Sequence, residues 1–371
     1  MKRRGFLAAA AVAGSSWCMP CAAWAPGGAA AAASASRSGG SGDDNLLILV
    51  ELNGGNDGLN TVVPYADSLY YACRPHLALR RDAVIALDER TALNPSLAPL
   101  MSLWHGRQLA IVQGVGYAQP NLSHFRSSEI WNTASRSDRY LRDGWLARAF
   151  AQRPVSAGFE MKGVVLGSAE RGPLANARGA RAIAPRAGNA PSPLETTTFP
   201  PGAFGASVKT AMEMLAADDR PRRAPVAGQR IAAIRLTLNG FDTHHNQPGR
   251  HEVLLAQLAC GMRAMRDALV ELGRWDRTLI VTYAEFGRHP RENDGRGTDH
   301  GTVAAHFVAG GRVRGGLYGD APRLARLDGN GNLPVGVDFR RIYATVLGPW
   351  WGLDTRSVLQ RRFEPLPLLR V

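Results

Sequence analysis

Five short apolar runs, each bordered by polar residues, constrain the fold of this 371-residue chain more than any other feature. A continuous apolar run is typical of a strand buried on both faces, and such strands occur in parallel sheets that helices cover. Segments with helical spacing of apolar residues lie between the runs, among them 94–106, 124–134 and 251–275. The sequence therefore predicts an α/β fold with a mostly parallel central sheet and helices on both faces. The runs lie within residues 45–60, 108–116, 231–245, 278–288 and 305–311.

Polar side chains gather at the ends of the predicted strands. In an open parallel sheet, ligands bind in the crevice outside the carboxyl ends of the strands. We therefore expect these side chains to lie along one edge of the sheet, and we interpret His124 and His306 as packed histidines. The residues are Asn53, Asn56 and Asp57 in the first region, Asn121, Ser123 and His124 in the second, Asp242, His244 and His245 in the third, Glu285 and Arg288 in the fourth, and Asp299 and His300 before the fifth.

Each of these motifs taken alone is also compatible with a structural role. Asp242 fits a turn, Glu285 fits an ion pair with Arg288, and Ser123 fits a helix N-cap. Together, the carboxylates and imidazoles favour zinc, manganese or iron over the softer metals that bind thiolates. A serine at a helix N-terminus lies in a positive field that also suits a phosphoryl or sulfuryl group. The set indicates metal-assisted transfer or hydrolysis of an anionic ester.

Five motifs resemble a family of exported bacterial proteins of unknown function that is grouped with the sulfatase and alkaline-phosphatase superfamily. The resemblance runs from about residue 45 to 352 and is weakest over 153–228. It implies an alkaline-phosphatase-like α/β fold with two metal positions beside a Ser, Thr or Cys nucleophile. In chain order, the motifs are ELNGGNDGLNTVVP, NLSHFRSSEIW, GFDTHHNQ, AEFGRHPREN and GTDHG.

The resemblance also implies roles for individual residues. One metal is expected on Asp242, on His244 or His245, and on His300, with Asp299 as a further ligand or a supporting group. Asn53, Ser123 and Glu285 stand where the second metal's first aspartate, the nucleophile and an Asp-His pair are expected.

The sequence departs from that pattern at the second metal position. Asn53 replaces an aspartate, and Phe286 follows Glu285 where a histidine is expected. An alternative alignment places Asp299 and His300 on the Asp-His pair. From their positions at strand ends, Asp57 is a further candidate ligand and Arg288 a further candidate catalytic residue.

The N-terminal sequence MKRRGFLAAAAVAG has the layout of an export signal. The Arg3-Arg4 pair with Phe6 and Leu7 resembles a twin-arginine (Tat) signal, and the apolar run is shorter than the roughly 20 residues that span a bilayer. We predict export by the Tat translocase to the periplasm or beyond. Cleavage is expected after Ala23-Trp24-Ala25 or after Ala33-Ser34-Ala35. The predicted organisation is a signal at 1–35, a linker at 36–44 and one domain at 45–371, with a loop-rich excursion at about 153–228.

The composition of the chain limits the kinds of molecule that we expect it to bind. The net charge is +13, but no basic patch alternates with aromatic residues, so a nucleic-acid partner is not expected. No segment after the signal is apolar enough to span a membrane. Cys18 and Cys21 lie in the predicted signal, which leaves Cys73 and Cys260 either to pair or to remain as separate buried thiols.

Two functions are compatible with these features. The first is an exported hydrolase of small-molecule or polymer-borne phosphate or sulfate esters, with a divalent metal that is zinc or manganese. The alternative is a catalytically degenerate relative that serves as an envelope binding or assembly protein. Ser123 and the Asp/His set favour the hydrolase, whereas Asn53 and Phe286 favour the alternative.

Overall fold

The computed structural model describes residues 44–152, 160–185, 193–218 and 229–370. The predicted signal and all but the last residue of the predicted linker lie outside these ranges, so the predictions for export and for signal cleavage stay predictions. The described residues group into one compact unit by their contacts.

The described strands are numbered in chain order. They are β1 Leu46–Asn53, β2 Val62–Val63, β3 Ile85–Ala86, β4 Ala92–Leu93, β5 Leu109–Gly116, β6 Glu160–Leu166, β7 Arg181–Ala182, β8 Gln229–Asn239, β9 Thr278–Tyr283, β10 Gly287–Glu292, β11 Thr298–Gly301, β12 Ala304–Ala309, β13 Gly316–Tyr318 and β14 Val337–Asp338.

The described α-helices are numbered in the same way. They are α1 Gly58–Thr61, α2 Ser68–Cys73, α3 Met101–His105, α4 His124–Thr133, α5 Trp145–Gln152, α6 Gly202–Asp218, α7 Gln247–Glu271, α8 Arg340–Thr345 and α9 Thr355–Leu359. A 3₁₀ helix, Pro95–Leu100, leads into α3, and a π-helical turn, Val346–Trp350, continues α8. Among the described residues, no helix combines the length and the apolar character that crossing a membrane requires.

The largest sheet has the strand order β13-β5-β12-β9-β1-β8-β6-β7, and β14 also pairs with β5. The central strand β1 is parallel to β8 and β9. β12 pairs antiparallel with both β5 and β9, so it runs against the other strands of this sheet. The predicted α/β class with a mostly parallel sheet is confirmed, and the fifth predicted strand is the antiparallel exception.

Helices cover both faces of this sheet. Successive side chains of a strand point to opposite faces, so Ile48 and Val50 of β1 pack on the side of α6 and α7. Leu47 and Leu49 pack on the other side, in the core to which α4, α5 and α8 contribute. Because each residue of β1 from Leu46 to Leu52 is buried, the strand appears in the sequence as an apolar run that only Glu51 interrupts, and Glu51 is paired with Arg235.

The segment 153–228 differs in part from the predicted surface excursion. The difference is its strand β6, which pairs with β8 in the main sheet. The helix α6 packs against the same core as α7. The apolar residues of β6 are few and stand beside Gly-, Pro- and Arg-rich sequence, so the composition of the whole segment concealed them. Residues 153–159, 186–192 and 219–228 lie outside the described ranges.

Two smaller elements complete the edge of the sheet. β10 and β11 form an antiparallel pair in which Arg288 lies opposite His300. β2, β4 and β3 form a separate three-stranded sheet.

The two cysteines among the described residues, Cys73 and Cys260, are free. Cys73 is half-buried and Cys260 is exposed, which corrects the expectation of buried thiols.

Candidate metal centre

Four side chains converge at the edge of the sheet where β1, β8 and β9 end. His124 is the first residue of α4, Asp242 and His244 follow β8, and His300 lies in β11. Because β12 runs antiparallel to β9, the chain that precedes β12 lies at the same edge as the chain that follows β9. This reversal explains why residues that precede β12 lie beside residues that follow β8 and β9.

The carboxylate of Asp242 is at the centre of this group. The Nε2 atom of His124 lies 3.5 Å from Oδ2 of Asp242. The Nε2 atoms of His244 and His300 lie 3.1 Å and 3.4 Å from Oδ1, and 3.0 Å from each other. Ligands bound at about 2.0–2.1 Å to a tetrahedral ion lie about 3.3 Å apart. His124, Asp242 and His300 therefore have the spacing that a single divalent ion requires, and His244 lies beside Asp242 and His300.

The second ring nitrogen of each histidine has its own acceptor. Nδ1 of His124 lies 2.8 Å from Oε1 of Glu285, and Nδ1 of His300 lies 2.7 Å from the carbonyl oxygen of Leu122. Nδ1 of His244 lies 3.3 Å from Oδ1 of Asp299. Metal-binding histidines commonly donate their other N–H to a carboxylate or carbonyl, which fixes the ring and leaves the Nε2 lone pair for the metal.

The interaction between the two Nε2 atoms depends on the tautomers of His244 and His300. With the protons on Nδ1, the lone pairs of His244 Nε2 and His300 Nε2 face each other across 3.0 Å. A positive ion between them turns this repulsion into attraction. The donor set of three imidazoles and one carboxylate suits zinc, and it also suits manganese.

Burial and charge set the ionisation of the central groups. Burial alone raises the pKa of Asp242, but the hydrogen bond and the charge of Arg288 outweigh it and bring the pKa to about 2. The hydrogen bond to Glu285 raises the pKa of His124, whereas burial lowers the pKa of His300. The carboxylate of Asp242 is thus anionic at neutral pH, as a metal ligand would need to be.

The loop after β1 approaches the site closely. Glu285 is buried and accepts a 3.0 Å hydrogen bond from the backbone N–H of Gly54. Gly54 and Gly55 have φ values of +116° and +80°, which favour glycine. A Cβ on Gly54 would lie 2.3 Å from the backbone nitrogen of Asp242, and one on Gly55 would lie 2.5 Å from the ring of Phe286. The Gly-Gly pair therefore allows the backbone to pack against the ligand loop.

Arg288 connects the loops that carry the ligands. Its buried guanidinium donates to the backbone carbonyls of Gly54, Gly55, Phe241 and Thr298 and to Oδ1 of Asp242, the last over 2.7 Å. Since these contacts use its donors, Arg288 supports the site from behind, and the structure does not present it as a group that faces a substrate.

The remaining predicted residues lie around the cluster. Ser123 is exposed at the N-cap position of α4, but its side chain makes no cap hydrogen bond. Asn53 is exposed and donates to Oδ1 of Asn239 over 2.8 Å. His245 is exposed and lies against Gly295. Ser123 and Asn53 are therefore exposed, whereas His245 contributes no contact to Asp242 in the described structure.

Asp57 lies in a separate buried network. Its Oδ2 accepts from Arg74 over 2.6 Å and from Gln247 over 2.5 Å, and its Oδ1 caps α1. Burial raises the pKa of Asp57, but the charge and hydrogen bond of Arg74, together with smaller effects of His251 and Gln247, outweigh it and lower the pKa overall. With both oxygens engaged, Asp57 is an ion-pair and capping residue here, and the structure does not bring it to the metal cluster.

His124 is the site residue that the sequence interpretation placed elsewhere. It was expected to be a packed histidine, and the structure instead directs its Nε2 toward Asp242. Its position directly after Ser123, at a strand end, was the available signal. His306 does match that expectation: it is buried against Trp131, with ring centroids 5.4 Å apart, and burial lowers its pKa to about 3.

Comparisons with known proteins give remote likenesses. The family model DUF1501, described as a protein of unknown function, matches residues 209–363. That match agrees, over less than half of the chain, with the predicted resemblance to a family of unknown function. A comparison with curated proteins finds no significant match.

Three solved structures illustrate the structural likeness. The C-terminal periplasmic domain of EcEptC from Escherichia coli, in complex with Zn, is 12% identical; the alignment covers 72% of this chain and 73% of that one, with a TM-score of 0.38. A protein in the alkaline phosphatase superfamily from Vibrio parahaemolyticus is 10% identical, with 74% and 62% covered and a TM-score of 0.39. The lipoteichoic acid synthase LtaP from Listeria monocytogenes is 10% identical, with 85% and 76% covered and a TM-score of 0.41.

Proposed function

We propose that this protein is a metal-dependent hydrolase of phosphate or sulfate esters that holds one zinc or manganese ion. The ligands are His124, Asp242, His244 and His300. The observation that carries the proposal is the 3.0 Å approach of two Nε2 atoms, His244 and His300, whose Nδ1 atoms both face acceptors. This arrangement is favourable when a cation lies between the two nitrogens.

In this proposal, neither Glu285 nor Asn53 is free to bind a second metal. Oε1 of Glu285 lies against both His124 and the N–H of Gly54, and Asn53 is paired with Asn239. Among the described residues, one group of His, Cys, Asp and Glu side chains has the spacing for a metal, and it is formed by His124, Asp242 and His300. His244 lies outside that group, and we propose it as the fourth ligand from its contacts with Asp242 and His300. We therefore propose a single ion.

A bound divalent ion supplies Lewis acidity to an anionic ester and to a nearby hydroxyl. The nucleophile that we propose is Ser123, an exposed residue that directly precedes His124 in the chain. The first backbone N–H groups of α4 have no acceptor within the helix, and the positive end of the helix dipole favours an anion there. Glu285 holds the ring of His124, and Arg288 holds the carboxylate of Asp242.

Metal analysis combined with a substrate screen tests this function. Protein purified from zinc- or manganese-supplemented cells is expected to contain about one equivalent of metal, as structural and catalytic metalloproteins do. Hydrolysis of an aryl phosphate, an aryl sulfate or a phosphodiester is expected to stop after chelation and to return when the metal is restored. Stably folded protein that binds neither zinc nor manganese would contradict the proposal.

A second candidate function is supported by the number of ligands. Structural zinc sites have four protein ligands, whereas catalytic sites keep one position open. The convergence of His124, Asp242, His244 and His300 favours an envelope binding or assembly protein that a metal stabilises. In that case metal raises the melting temperature, but none of the esters is hydrolysed.

We further propose that the chain is exported by the Tat translocase. Recognition depends on the Arg3-Arg4 pair, whose guanidinium groups differ from lysine ammonium groups in shape and in hydrogen bonding. The Arg3→Lys/Arg4→Lys double variant is therefore expected to remain as precursor in the cytoplasm. Fractionation and immunoblotting measure this, with Arg37→Lys as a control outside the predicted signal. Unchanged accumulation of the double variant in the periplasm would refute this route.

A further inference from the structure

A buried amide lies between the two loops that carry most of the ligands. Gln247 is fully buried at the start of α7. Its Oε1 accepts a 3.0 Å hydrogen bond from Oγ1 of Thr243 and a 2.6 Å hydrogen bond from Oγ1 of Thr298. Its Nε2 donates to Oδ2 of Asp57 over 2.5 Å. All of the hydrogen bonds of this amide that the structure shows go to residues outside the metal cluster.

Each of the two threonines adjoins candidate ligands in the chain. Thr243 lies between Asp242 and His244, and Thr298 lies two residues before His300. The two segments also touch directly, because the backbone N–H of Thr298 donates to the carbonyl of Thr243 over 3.2 Å. The spacing of Thr243 and Thr298 therefore helps to set the 3.0 Å distance between His244 Nε2 and His300 Nε2.

Asp57, which accepts from Nε2 of Gln247, is itself fixed by several contacts. Asp57 forms a buried ion pair with Arg74, and Nε of Arg74 donates to the carbonyl of Pro290 in β10 over 2.8 Å. Asp57 also caps α1. Nε2 of Gln247 is thus bonded to the fixed carboxylate of Asp57, and its Oε1 connects the two segments that carry candidate ligands.

The chemistry of this position requires an amide. The side chain must accept two hydroxyl protons and donate one proton to a carboxylate, and an amide has both functions. A carboxylate here would face the negative charge of Asp57, and an apolar side chain would remove the acceptor of the Thr243 and Thr298 hydroxyls.

We infer that Gln247 is a positioning residue for the metal centre, which fixes the separation of the Asp242–His244 and Asp299–His300 segments. This inference rests on the proposed metal site and applies whether the metal serves catalysis or assembly. Gln247 acts through Thr243 and Thr298, and it touches neither the metal nor a substrate.

Zinc affinity and the cobalt spectrum of a Gln247→Met variant test this inference. Losses of groups that orient metal ligands typically weaken metal binding about 10- to 100-fold, and a change of that size is expected here. The visible absorption of the cobalt-substituted variant should also differ from that of the wild type, because the spectrum reports the arrangement of the ligands. Gln257→Met, in the same helix and away from the site, is the matched control and should leave both measurements unchanged.

Variants of Thr298 decide the question even if Gln247→Met fails to fold. Thr298→Ser keeps the hydroxyl and should retain the wild-type affinity and cobalt spectrum, whereas Thr298→Val removes the hydroxyl and should weaken zinc binding about 10-fold or more. If Gln247→Met or Thr298→Val binds zinc as tightly as the wild type, with the same cobalt spectrum, the inference is overturned and the metal site stands. If the wild type itself binds no zinc, both the inference and the proposed metal site fail.

Discussion

The His124→Ala variant is expected to lose zinc affinity by about 100-fold or more, because even residues that only orient a ligand contribute about 10- to 100-fold. The imidazole lies 3.5 Å from Asp242 through Nε2 and 2.8 Å from Glu285 through Nδ1. Its removal therefore takes away one ligand and leaves the buried Glu285 carboxylate without that partner. Competition with a chromophoric chelator measures the affinity of the purified variant.

His245→Ala is the matched control for this prediction. His245 neighbours His244 in the chain, but it is exposed and lies against Gly295. Its replacement should leave zinc affinity unchanged. The sequence alone treats His245 as an alternative ligand and His124 as a packed residue, so the opposite pattern, with His245→Ala impaired and His124→Ala intact, would show that the structural assignment is wrong.

The apolar runs predicted the main strands because burial on both faces removes the polar alternation that other strands show. The runs did not predict the direction of each strand in the sheet. The run at 305–311 has the same composition as its neighbours, yet β12 is antiparallel to β5 and β9. An apolar run does not encode direction, which depends on the connections that precede and follow it. The short hairpin of β10 and β11 brings the chain back along the same edge, so β12 enters the sheet from that edge.

The sequence predicted where in the fold the candidate site lies better than it predicted which side chains contact one another there. Asp242, His244 and His300 were expected to lie together, and the structure brings them together. His124 was missed because a lone histidine in a helix carries no periodic signal of its own. Asp57 was included because it follows a strand, but a strand-end aspartate can equally cap a helix, and this one caps α1 and pairs with Arg74.

Sequence patterns predict least well the polar residues that hold the segments around the site in place. Arg288 was expected near the chemistry, but its guanidinium is directed at the carbonyls of three loops. Gln247 has no motif of its own, since its role depends on Thr243 and Thr298 lying within 3.0 Å of one oxygen atom. Such roles arise from the packing of segments that are far apart in the chain.

The Ser123→Ala variant is expected to lose ester hydrolysis by three or more orders of magnitude, about the loss seen when a nucleophile is removed from other hydrolases. The fold should be little affected. Ser123 stands at the N-cap position of α4, but its hydroxyl makes no cap hydrogen bond, and the residue is exposed. Replacement of such a residue changes stability by about 0.5 kcal/mol or less. Turnover of the hydrolysed ester and thermal unfolding, measured side by side, separate the two effects.

Two further variants make the result for Ser123 decisive. Ser123→Asn offers a good helix-capping side chain without a nucleophilic hydroxyl, so it should be as inactive as Ser123→Ala and at least as stable. Ser128→Ala, a half-buried position in the same helix, removes a hydroxyl without touching the proposed nucleophile and should keep wild-type turnover. If wild-type turnover persists in Ser123→Asn, a serine-linked intermediate is excluded. If zinc binds to the wild type and to both Ser123 variants but none hydrolyses any ester, the metal serves the binding or assembly function, because the ligands His124, Asp242, His244 and His300 are then intact without chemistry.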